Sequence, residues 1–483
     1  MKIFIVTPEA VPYAKTGGLA DVTGSLLKEF RKLGMDARLI MPFYSVVANS
    51  SETIDTGIRL SLNILSENIT ASLLESRRND YPAYFIRCDR FFMREGLYGT
   101  SSGDYPDNAL RFSFFSRTAL LAIKALSIRP DIIHVHDWQT ALVPFYLKNF
   151  YRDEPLFKDT RTVLTIHNLG YQGLFHPSLL PYTGIGLEHF VPHGIEFYGK
   201  INFLKAGIIS SDAITTVSEN YAKEILTEEY GFGLHGVLRE RASRLYGILN
   251  GIDYTQWDPE TDRSIHRRFS LRDLRGKKAC KRDLIKKSAL KIKELQPLAC
   301  FIGRFVSQKG IDLIEKAVPE IIKSGFGLII LGSGERTYEE AMLNLYSRFR
   351  DYLYVKIGYD EDLARNIYGG SDIFIMPSRY EPCGLTQMIA MRYGTIPVGR
   401  ATGGLIDTIQ DYDHLRRAGT GFLFREYSPS AMIECLKRAL CVYSRTYEWN
   451  KIIKVAMKKD FSWGNSALKY LSLFRILKAQ EPL

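Results

Sequence analysis

KTGGLADV, at residues 15–22, decides the fold because it connects an apolar run to a helical pattern. The preceding run KIFIVT, at residues 2–7, has the composition of a buried strand, and residues 22–33 carry apolar side chains at helical spacing. Gly17 and Gly18 have no Cβ, so backbone N–H groups can approach a ligand, and the following helix directs its positive dipole end toward an anion. Lys15 adds a positive charge and Asp21 a carboxylate. The stretch predicts a strand–loop–helix unit of an α/β protein; a phosphate-binding loop and an ordinary turn are its two interpretations.

The length and composition indicate a two-domain globular protein. Single hydrophobic cores rarely grow beyond about 250–300 residues, and this chain has 483. Its apolar content of 46% and charged content of 24% are typical of soluble proteins. No apolar stretch approaches the ~18 residues of a membrane span, no targeting peptide is visible, and the six cysteines form no CxxC pair. These features predict a cytoplasmic protein with reduced thiols and no membrane partner.

The net charge of +11 is concentrated in one segment, residues 263–293. This segment holds thirteen Lys and Arg residues against Asp273 and Asp283, so the rest of the chain is balanced. Phe269 is its one aromatic side chain, whereas a nucleic-acid surface alternates cations with rings that stack on bases. We interpret the segment as a solvated helical face and predict no nucleic-acid partner. The alternative is a polyanion-binding segment whose affinity would fall steeply with salt.

Short apolar runs alternate with helical stretches in both halves of the chain, which is the pattern of parallel sheets covered by helices. The runs lie at residues 131–135, 162–166 and 213–217, and then at 298–302, 328–331, 354–357 and 372–376. We therefore predict an α/β fold with two Rossmann-like domains facing a central cleft, where ligands bind beyond the carboxyl ends of the strands. The predicted domains are residues 1–247, residues 248–458 and a C-terminal helix in residues 459–483 that packs back on the first domain, as in similar folds.

Two loops of the second half place charged groups after strands. In GRFVSQKG, at residues 303–310, Arg304 and Lys309 can neutralise a diphosphate and stabilise the charge that builds on a leaving phosphate. Two solvated cations are the alternative. In SRYEPCGLTQ, at residues 378–387, Pro382 fits the first turn of a helix and puts Glu381 near the N-cap, where simple capping is the alternative role. The N–H groups that would then face phosphate or sugar oxygens belong to Cys383, Gly384, Leu385 and Thr386.

Histidines near carboxylates follow two strands of the first half. They stand in HVHDWQ, at residues 134–139, and in IHNLG, at residues 166–170, where this fold places chemistry. His134 and His136 alternate at strand spacing and share a face that excludes Asp137. No third ligand at a fixed distance completes a zinc set. We predict no metal site, and a structural role for His134 and His136 is the alternative to a functional one.

Together these motifs resemble those of the bacterial-type glycogen and starch synthases, from residue 1 to about residue 474. The likeness includes GLYG at 96–99, NFLKAG at 202–207, SENYA at 218–222, GFGL at 231–234 and NGID at 250–253. It implies a GT-B fold and transfer of glucose from ADP-glucose to the non-reducing 4-hydroxyl of an α-1,4-glucan, such as glycogen, with retention of configuration. It implies no cofactor. Alternatives are a relative that uses UDP-glucose, a glucan phosphorylase, for which no pyridoxal-phosphate lysine motif is found, and a non-catalytic glucan-binding protein.

The resemblance also implies roles for individual residues. Arg304 and Lys309 match the diphosphate cations, and Lys15 matches a donor contact beside Gly17 and Gly18. Glu381 matches an essential carboxylate near the glucosyl unit, His167 a histidine that faces the sugar, and Tyr359 a ring that stacks on adenine. The residues that match the glucose or acceptor side are Asp137, Asp21, Tyr98, Asn168 and Asn250; those assigned to catalysis are Glu381, His167, Asp137, Arg304 and Lys309. We favour attack on the face from which the phosphate departs, with that phosphate as base, over two successive inversions.

Overall fold

The computed structural model describes residues 1–50, 52–77, 80–100 and 102–479. The chain divides into two compact units. Unit 1 contains Met1–Val217, Ala222–Ile248 and the C-terminal segment from Trp463, and unit 2 contains Ser218–Tyr221 and Leu249–Ser462. Residues 480–483, at the end of the predicted C-terminal segment, lie outside the described residues.

Unit 1 is built on a nine-stranded sheet. The strands of this unit are β1 (Lys2–Val6), β2 (Asp36–Pro42), β3 (Ile54–Ile64), β4 (Glu67–Ser76), β5 (Ala83–Arg87), β6 (Gly99–Thr100), β7 (Gly103–Asp104), β8 (Ile132–His136), β9 (Arg161–Ile166), β10 (Leu174–Phe175), β11 (Glu196–Phe197), β12 (Lys200–Asn202), β13 (Ala213–Thr216) and β14 (Leu245–Gly247). The large sheet has the order β14-β13-β9-β8-β1-β2-β5-β4-β3. Its strands pair in parallel except β4, which is antiparallel to β3 and β5. The central strands β1, β8 and β9 are buried along almost their whole length, because both faces of the sheet are covered.

Helices and short turns connect these strands. The helices up to residue 248 are α1 (Gly18–Lys32), α2 (Ser45–Ser50), α3 (Asp89–Phe92), α4 (Asn108–Ala125), α5 (Leu142–Phe150), α6 (Leu180–Thr183), α7 (Phe203–Ser210), α8 (Glu219–Glu224) and α9 (His235–Glu240). Short 3₁₀ turns cover Pro177–Leu179, Leu187–His189 and Ala242–Arg244. Helix α1 begins at the second glycine of KTGGLADV, so the predicted strand–loop–helix unit is confirmed.

Unit 2 has a six-stranded, fully parallel sheet. Its strands are β15 (Leu298–Ile302), β16 (Gly327–Gly332), β17 (Leu353–Ile357), β18 (Ile373–Met376), β19 (Ile396–Arg400) and β20 (Phe422–Phe424), in the order β17-β16-β15-β18-β19-β20. Its helices are α10 (Arg275–Lys287), α11 (Ile311–Lys323), α12 (Arg336–Phe349), α13 (Glu361–Gly370), α14 (Thr386–Arg392), α15 (Gly403–Thr408), α16 (Pro429–Tyr443) and α17 (Thr446–Met457), with a 3₁₀ turn at Ser307–Lys309. The predicted strands of this half match the observed ones within two residues.

The last helix of the described chain, α18 (Trp463–Ala479), belongs to unit 1. Its aromatic side chains pack on α1: the ring of Phe30 lies 6.4 Å from that of Tyr470 and 5.7 Å from that of Phe474. The side chain of Arg161, at the start of β9, donates a hydrogen bond to the carbonyl of Leu477. Helix α18 therefore completes the hydrophobic layer on one face of the unit 1 sheet.

Each unit has the strand order of a doubly wound sheet. In unit 1 the order reverses between β1 and β8, and in unit 2 it reverses between β15 and β18. Both units are thus Rossmann-like, and the predicted α/β class is confirmed. Ligands of such sheets bind outside the carboxyl ends of the strands at the reversal, so the loops after these four strands are where a site is expected.

The basic segment 263–293 differs from the predicted solvated face. Lys277 and Lys281, on α10, are only 6% and 5% exposed. The Lys277 ammonium donates to the carbonyls of Tyr368 and Tyr393 and to the hydroxyl of Thr395, and Lys281 pairs with Asp372 at 2.6 Å. The interpretation as a solvated face was wrong for these two residues, because carbonyls and a hydroxyl around Lys277 and the Asp372 carboxylate beside Lys281 supply the partners that make burial of a charge tolerable.

Candidate active site

The glycine loop of unit 1 is hydrogen-bonded to a buried carboxylate. Glu9, 3% exposed, accepts hydrogen bonds from the backbone N–H groups of Thr16 and Gly17 and, at 2.6 Å, from the hydroxyl of Thr16. The sequence predicted that backbone N–H groups of this loop could bind a phosphate. In this structure an internal carboxylate already occupies them, so the donors of the loop that remain for a ligand begin with Gly18, where α1 starts.

Two further predicted residues join this loop. The hydroxyl of Tyr98 donates to Glu9 at 2.5 Å, and burial raises the pKa of Tyr98 well above its ordinary value. Lys15 pairs with Asp21 at 2.8 Å, with about half of the lysine side chain exposed. Gly17 and Tyr98 therefore share Glu9 as a hydrogen-bond acceptor, and Lys15 and Asp21 form a separate ion pair beside them in the sequence.

The loop after β8 lies across the reversal point from the glycine loop. Asp137 adopts a left-handed conformation with φ 56°, and its Oδ1 accepts from the backbone N–H of His167 at 2.7 Å. Burial, opposed by that hydrogen bond and reinforced by the charge of Glu9, raises the pKa of Asp137 to about 7. The carboxyl group therefore titrates far above its ordinary range, and it connects the loop after β8 to the loop after β9.

His167 and Asn168 begin the loop after β9. Burial lowers the pKa of His167 to about 3, so its imidazole is uncharged under physiological conditions. Its Nε2 lies 3.0 Å from Nδ1 of His136, the last residue of β8. The Asn168 side chain accepts from the backbone N–H of Gly170 at 3.0 Å. An uncharged His167 can donate or accept a hydrogen bond but cannot serve as a resident cation.

In unit 2 the loops after β15 and β18 pack against each other. Gly310 has φ 74°, and a Cβ at this position would collide with the carbonyl of Pro377, so only glycine allows this approach. The backbone N–H of Arg379 donates to the carbonyl of Gln308 at 2.9 Å. This packing brings the Lys309 ammonium to 2.6 Å from Oε2 of Glu381. The side chain of Glu381 is 5% exposed and also accepts from the hydroxyl of Ser378.

The predicted position of Glu381 at a helix N-cap was wrong. Helix α14 begins at Thr386, and Leu385 occupies its N-cap. Gly384 has φ 72°, a left-handed conformation that cannot continue into a helix, so the turn at Pro382 stays outside α14. Glu381 instead lies in the loop before α14, where its backbone carbonyl accepts a hydrogen bond from the N–H of Gly404 at 3.0 Å.

The other predicted residues of unit 2 surround this ion pair to different degrees. Burial raises the pKa of Cys383 to about 12, opposed by a hydrogen bond from the backbone of Asn250, so the thiol is not a nucleophile. Arg304 is exposed, and within the described part of the chain its guanidinium has no hydrogen-bond or ion-pair partner. Tyr359, 79% exposed, follows β17 at the edge of the sheet. Arg304 and Tyr359 thus lie just beyond the carboxyl ends of β15 and β17, and both side chains are exposed to solvent.

The sequence did not predict the roles of Glu9, Thr16 and Ser378 in these clusters. It also did not predict the hydrogen bond between His136 and His167. A carboxylate inside the apolar stretch PEAVPYA is a signal that could have identified Glu9, since an unpaired charge is rarely placed among apolar residues. The hydroxyl partners gave no comparable signal. Among the described residues no group of three or more His, Cys, Asp or Glu side chains is arranged to hold a metal ion. None of their helices combines the length and the apolar character that a membrane crossing requires.

The two halves match two families of known proteins. Residues 2–240 match the starch synthase catalytic domain, and residues 283–449 match the group 1 glycosyl transferases. A glycogen synthase from Thermodesulfovibrio yellowstonii is 46% identical over 490 residues, which cover 98% of this chain and 97% of that protein. A glycogen synthase from Geotalea daltonii is 47% identical over 483 residues, which cover 100% of both.

Solved structures give the same result. The catalytic domain of starch synthase IV from Arabidopsis thaliana, bound to ADP and acarbose, has a TM-score of 0.90 and 33% identity and covers 99% of both chains. Sucrose-phosphate synthase from Thermosynechococcus elongatus has a TM-score of 0.61 at 16% identity, which is a likeness of fold alone. These similarities confirm the GT-B class of two Rossmann-like domains.

Proposed function

Because this chain belongs to the glycogen and starch synthase family and is a glycosyltransferase, we propose that it transfers glucose from ADP-glucose to the non-reducing 4-hydroxyl of an α-1,4-glucan, with retention. The relatives named glycogen synthase match along the whole chain, and the Arabidopsis starch synthase was solved with ADP and acarbose. We also propose that the protein acts in the cytoplasm and needs neither a metal nor a cofactor.

The observation that carries this proposal is the Lys309–Glu381 pair at the reversal point of unit 2, with a 2.6 Å contact. Departure of a nucleoside diphosphate leaves negative charge on its distal phosphate, and cations near that oxygen stabilise the transition state more than the ground state. Lys309, oriented by the buried carboxylate of Glu381, and the exposed Arg304 supply such cations. Tyr359, exposed after β17, offers a ring for the adenine.

The residues of unit 1 suit recognition of the sugar more than nucleophilic attack on it. His167 is uncharged, so it contributes a hydrogen bond to a hydroxyl rather than a charge. The Oδ1 atom of Asp137 accepts a hydrogen bond from the N–H of His167, and burial raises the pKa of its carboxyl group to about 7, which disfavours the ionised form that a nucleophile needs. These features favour attack on the face from which the phosphate departs, with that phosphate accepting the proton of the acceptor hydroxyl.

The test is incorporation of labelled glucose into glycogen from ADP-glucose and, in parallel, from UDP-glucose. The variants are Glu381→Ala and Lys309→Ala, and the matched control is Glu340→Ala, which removes an exposed carboxylate of α12 in the same unit. We expect transfer from ADP-glucose that both site variants abolish and the control keeps, with the α-anomer in the product by NMR. Preference for UDP-glucose would refute the donor assignment, and glycogen binding without transfer from either donor would refute the activity.

A further inference from the structure

Three imidazole rings form a row inside unit 1, from helix α18 to the loop after β9. The rings of His134 and His136, on one face of β8, have centroids 4.2 Å apart, and the ring of His136 is 5.3 Å from that of His167. Tyr470 closes the far end of the row, 5.2 Å from His134. His134 and His136 are fully buried. The buried ring of His136 therefore has a fixed position beside His167, the member of the row that begins the loop.

His136 and His167 are joined by a hydrogen bond between Nδ1 of His136 and Nε2 of His167, which lie 3.0 Å apart. Burial lowers the pKa of His167 to about 3 and that of His136 well below its ordinary value. Both rings are therefore neutral near pH 7, and each carries one proton. Such a contact needs one N–H and one lone pair, so either His136 donates or His167 donates.

The surroundings of His136 distinguish these two forms. If His167 donated, the proton of His136 would lie on Nε2, which is buried without a hydrogen-bond partner among the described residues. A buried N–H group without an acceptor is rarer than a buried unused lone pair. The backbone of His136 is fixed as well, because the hydroxyl of Thr140 accepts from its N–H at 2.7 Å and donates to its carbonyl at 2.8 Å. The proton of His136 therefore belongs on Nδ1, directed at His167.

We propose that His136 is a positioning residue that donates its Nδ1–H to Nε2 of His167 and thereby fixes His167 as the Nδ1–H tautomer. His167 then offers a ligand one donor, Nδ1–H, and no ring acceptor, so it selects an acceptor oxygen without contributing charge. The use of that donor on a sugar hydroxyl rests on the proposed function. The tautomer itself follows from the geometry of the row.

Nitrogen NMR of the full-length protein labelled with ¹⁵N-histidine tests the tautomer. The chain has nine histidines, and a His167→Gln variant identifies the signals of His167 by their loss. We expect His167 in the Nδ1–H form in the parent protein and in His136→Asn, whose amide N–H can replace the donor. We expect loss of that form in His136→Leu. An Nε2–H form in the parent, or an Nδ1–H form that persists in His136→Leu, would overturn the proposal; the parent spectrum decides even if the Leu variant does not fold.

Steady-state glucosyl transfer adds a second measurement. His136→Leu should lower kcat by about tenfold or more, by analogy with the loss of about 10–100-fold when the hydrogen-bond partner of a metal-binding histidine is removed. KM for glycogen should be unchanged, and kcat should be restored in His136→Asn. His134→Leu is the matched control, because it removes an equally buried ring of the same strand that is not hydrogen-bonded to His167. An equal loss in this control would assign the effect to packing and refute the positioning role. A parent protein with the Nδ1–H form that transfers no glucose would instead refute the proposed function.

Discussion

Substitution of Asp137 by Asn should stabilise unit 1 at pH 8 and leave its stability unchanged near pH 4. The pKa of Asp137 rises from the ordinary 3.8 to about 7, chiefly because of burial. Between these values the native state binds more protons than the unfolded state, so this residue lowers the stability of the parent as the pH rises from about 4 to 7. Asn cannot ionise, can accept the same hydrogen bond from the N–H of His167, and tolerates the left-handed φ of 56°.

The magnitude follows from the difference in pKa. At 1.36 kcal/mol for each pH unit, a rise from 3.8 to about 7 corresponds to at most about 4 kcal/mol. Because Asp137 is only half-buried, solvent screening reduces this value, and we expect a gain of about 2 kcal/mol at pH 8. For a unit of this size that gain raises Tm by about 4–8 °C. Glucosyl transfer should fall in the same variant, since it loses the ionised form of a predicted active-site group.

The assay is thermal unfolding of parent and variant at pH 5, 6, 7 and 8, followed by tryptophan fluorescence. Asp131→Asn serves as the control, because Asp131 precedes the same strand and has a lowered pKa: hydrogen bonds from Lys2 and Lys478 outweigh its burial. Its stabilising effect is lost only below its ordinary pKa, so this variant should be destabilised equally at pH 5 and pH 8. A Tm difference for Asp137→Asn that stays constant over this range, or that favours the parent at pH 8, would refute the reasoning.

Other buried charges give further expectations. Lys309→Met should lower the free energy of unfolding by about 3–5 kcal/mol, because it leaves Glu381 buried without its cation. In urea unfolding, the double variant with Glu381→Gln should recover most of this loss. No recovery would mean that the two residues are not coupled. Glu9→Ala should lower the free energy of unfolding by about 3 kcal/mol, because donors of the glycine loop lose their acceptor. Glu9→Gln keeps an acceptor for both N–H groups, so its Tm should lie within a few degrees of that of the parent. Equal losses in the two variants would argue against this geometry. Burial lowers the pKa of Lys277 to about 8, so its charged form opposes folding. In chemical unfolding, the free energy of unfolding of the parent relative to Lys277→Met should therefore increase as the pH rises from 8 to 10. A decrease would contradict the lowered pKa.

The fold could be predicted from the sequence because local and global preferences agree in the strands. Residues 298–302 are an apolar run bounded by turn formers, and they form β15 without a shift. Parallel strands need such runs because both of their faces are buried. The charged loops at strand ends could be placed for the same reason, since the carboxyl ends of parallel strands lie on one edge of the sheet.

What could not be predicted depends on partners that are distant in the chain. Glu9 and Tyr98 are 89 residues apart, yet their side chains are hydrogen-bonded. Lys277 can be buried because carbonyls 91 or more residues away accept hydrogen bonds from its ammonium group. The start of α14 was misplaced because Pro382 is a helix signal, whereas the left-handed Gly384 behind it decides the backbone. Sequence spacing reports local geometry, and these features are set by tertiary contacts.

Helix α18 gives unit 1 an order of biosynthesis. The side chains of Tyr470 and Phe474 cover the ring of His134, but they are made more than 300 residues after it on the growing chain. Until residue 474 has left the ribosome, the sheet of unit 1 has an open apolar face, and the histidine row has no cover at its inner end. Every predicted active-site residue is synthesised before that cover. The sheet of unit 1 is therefore expected to complete its packing only after α18 has been synthesised.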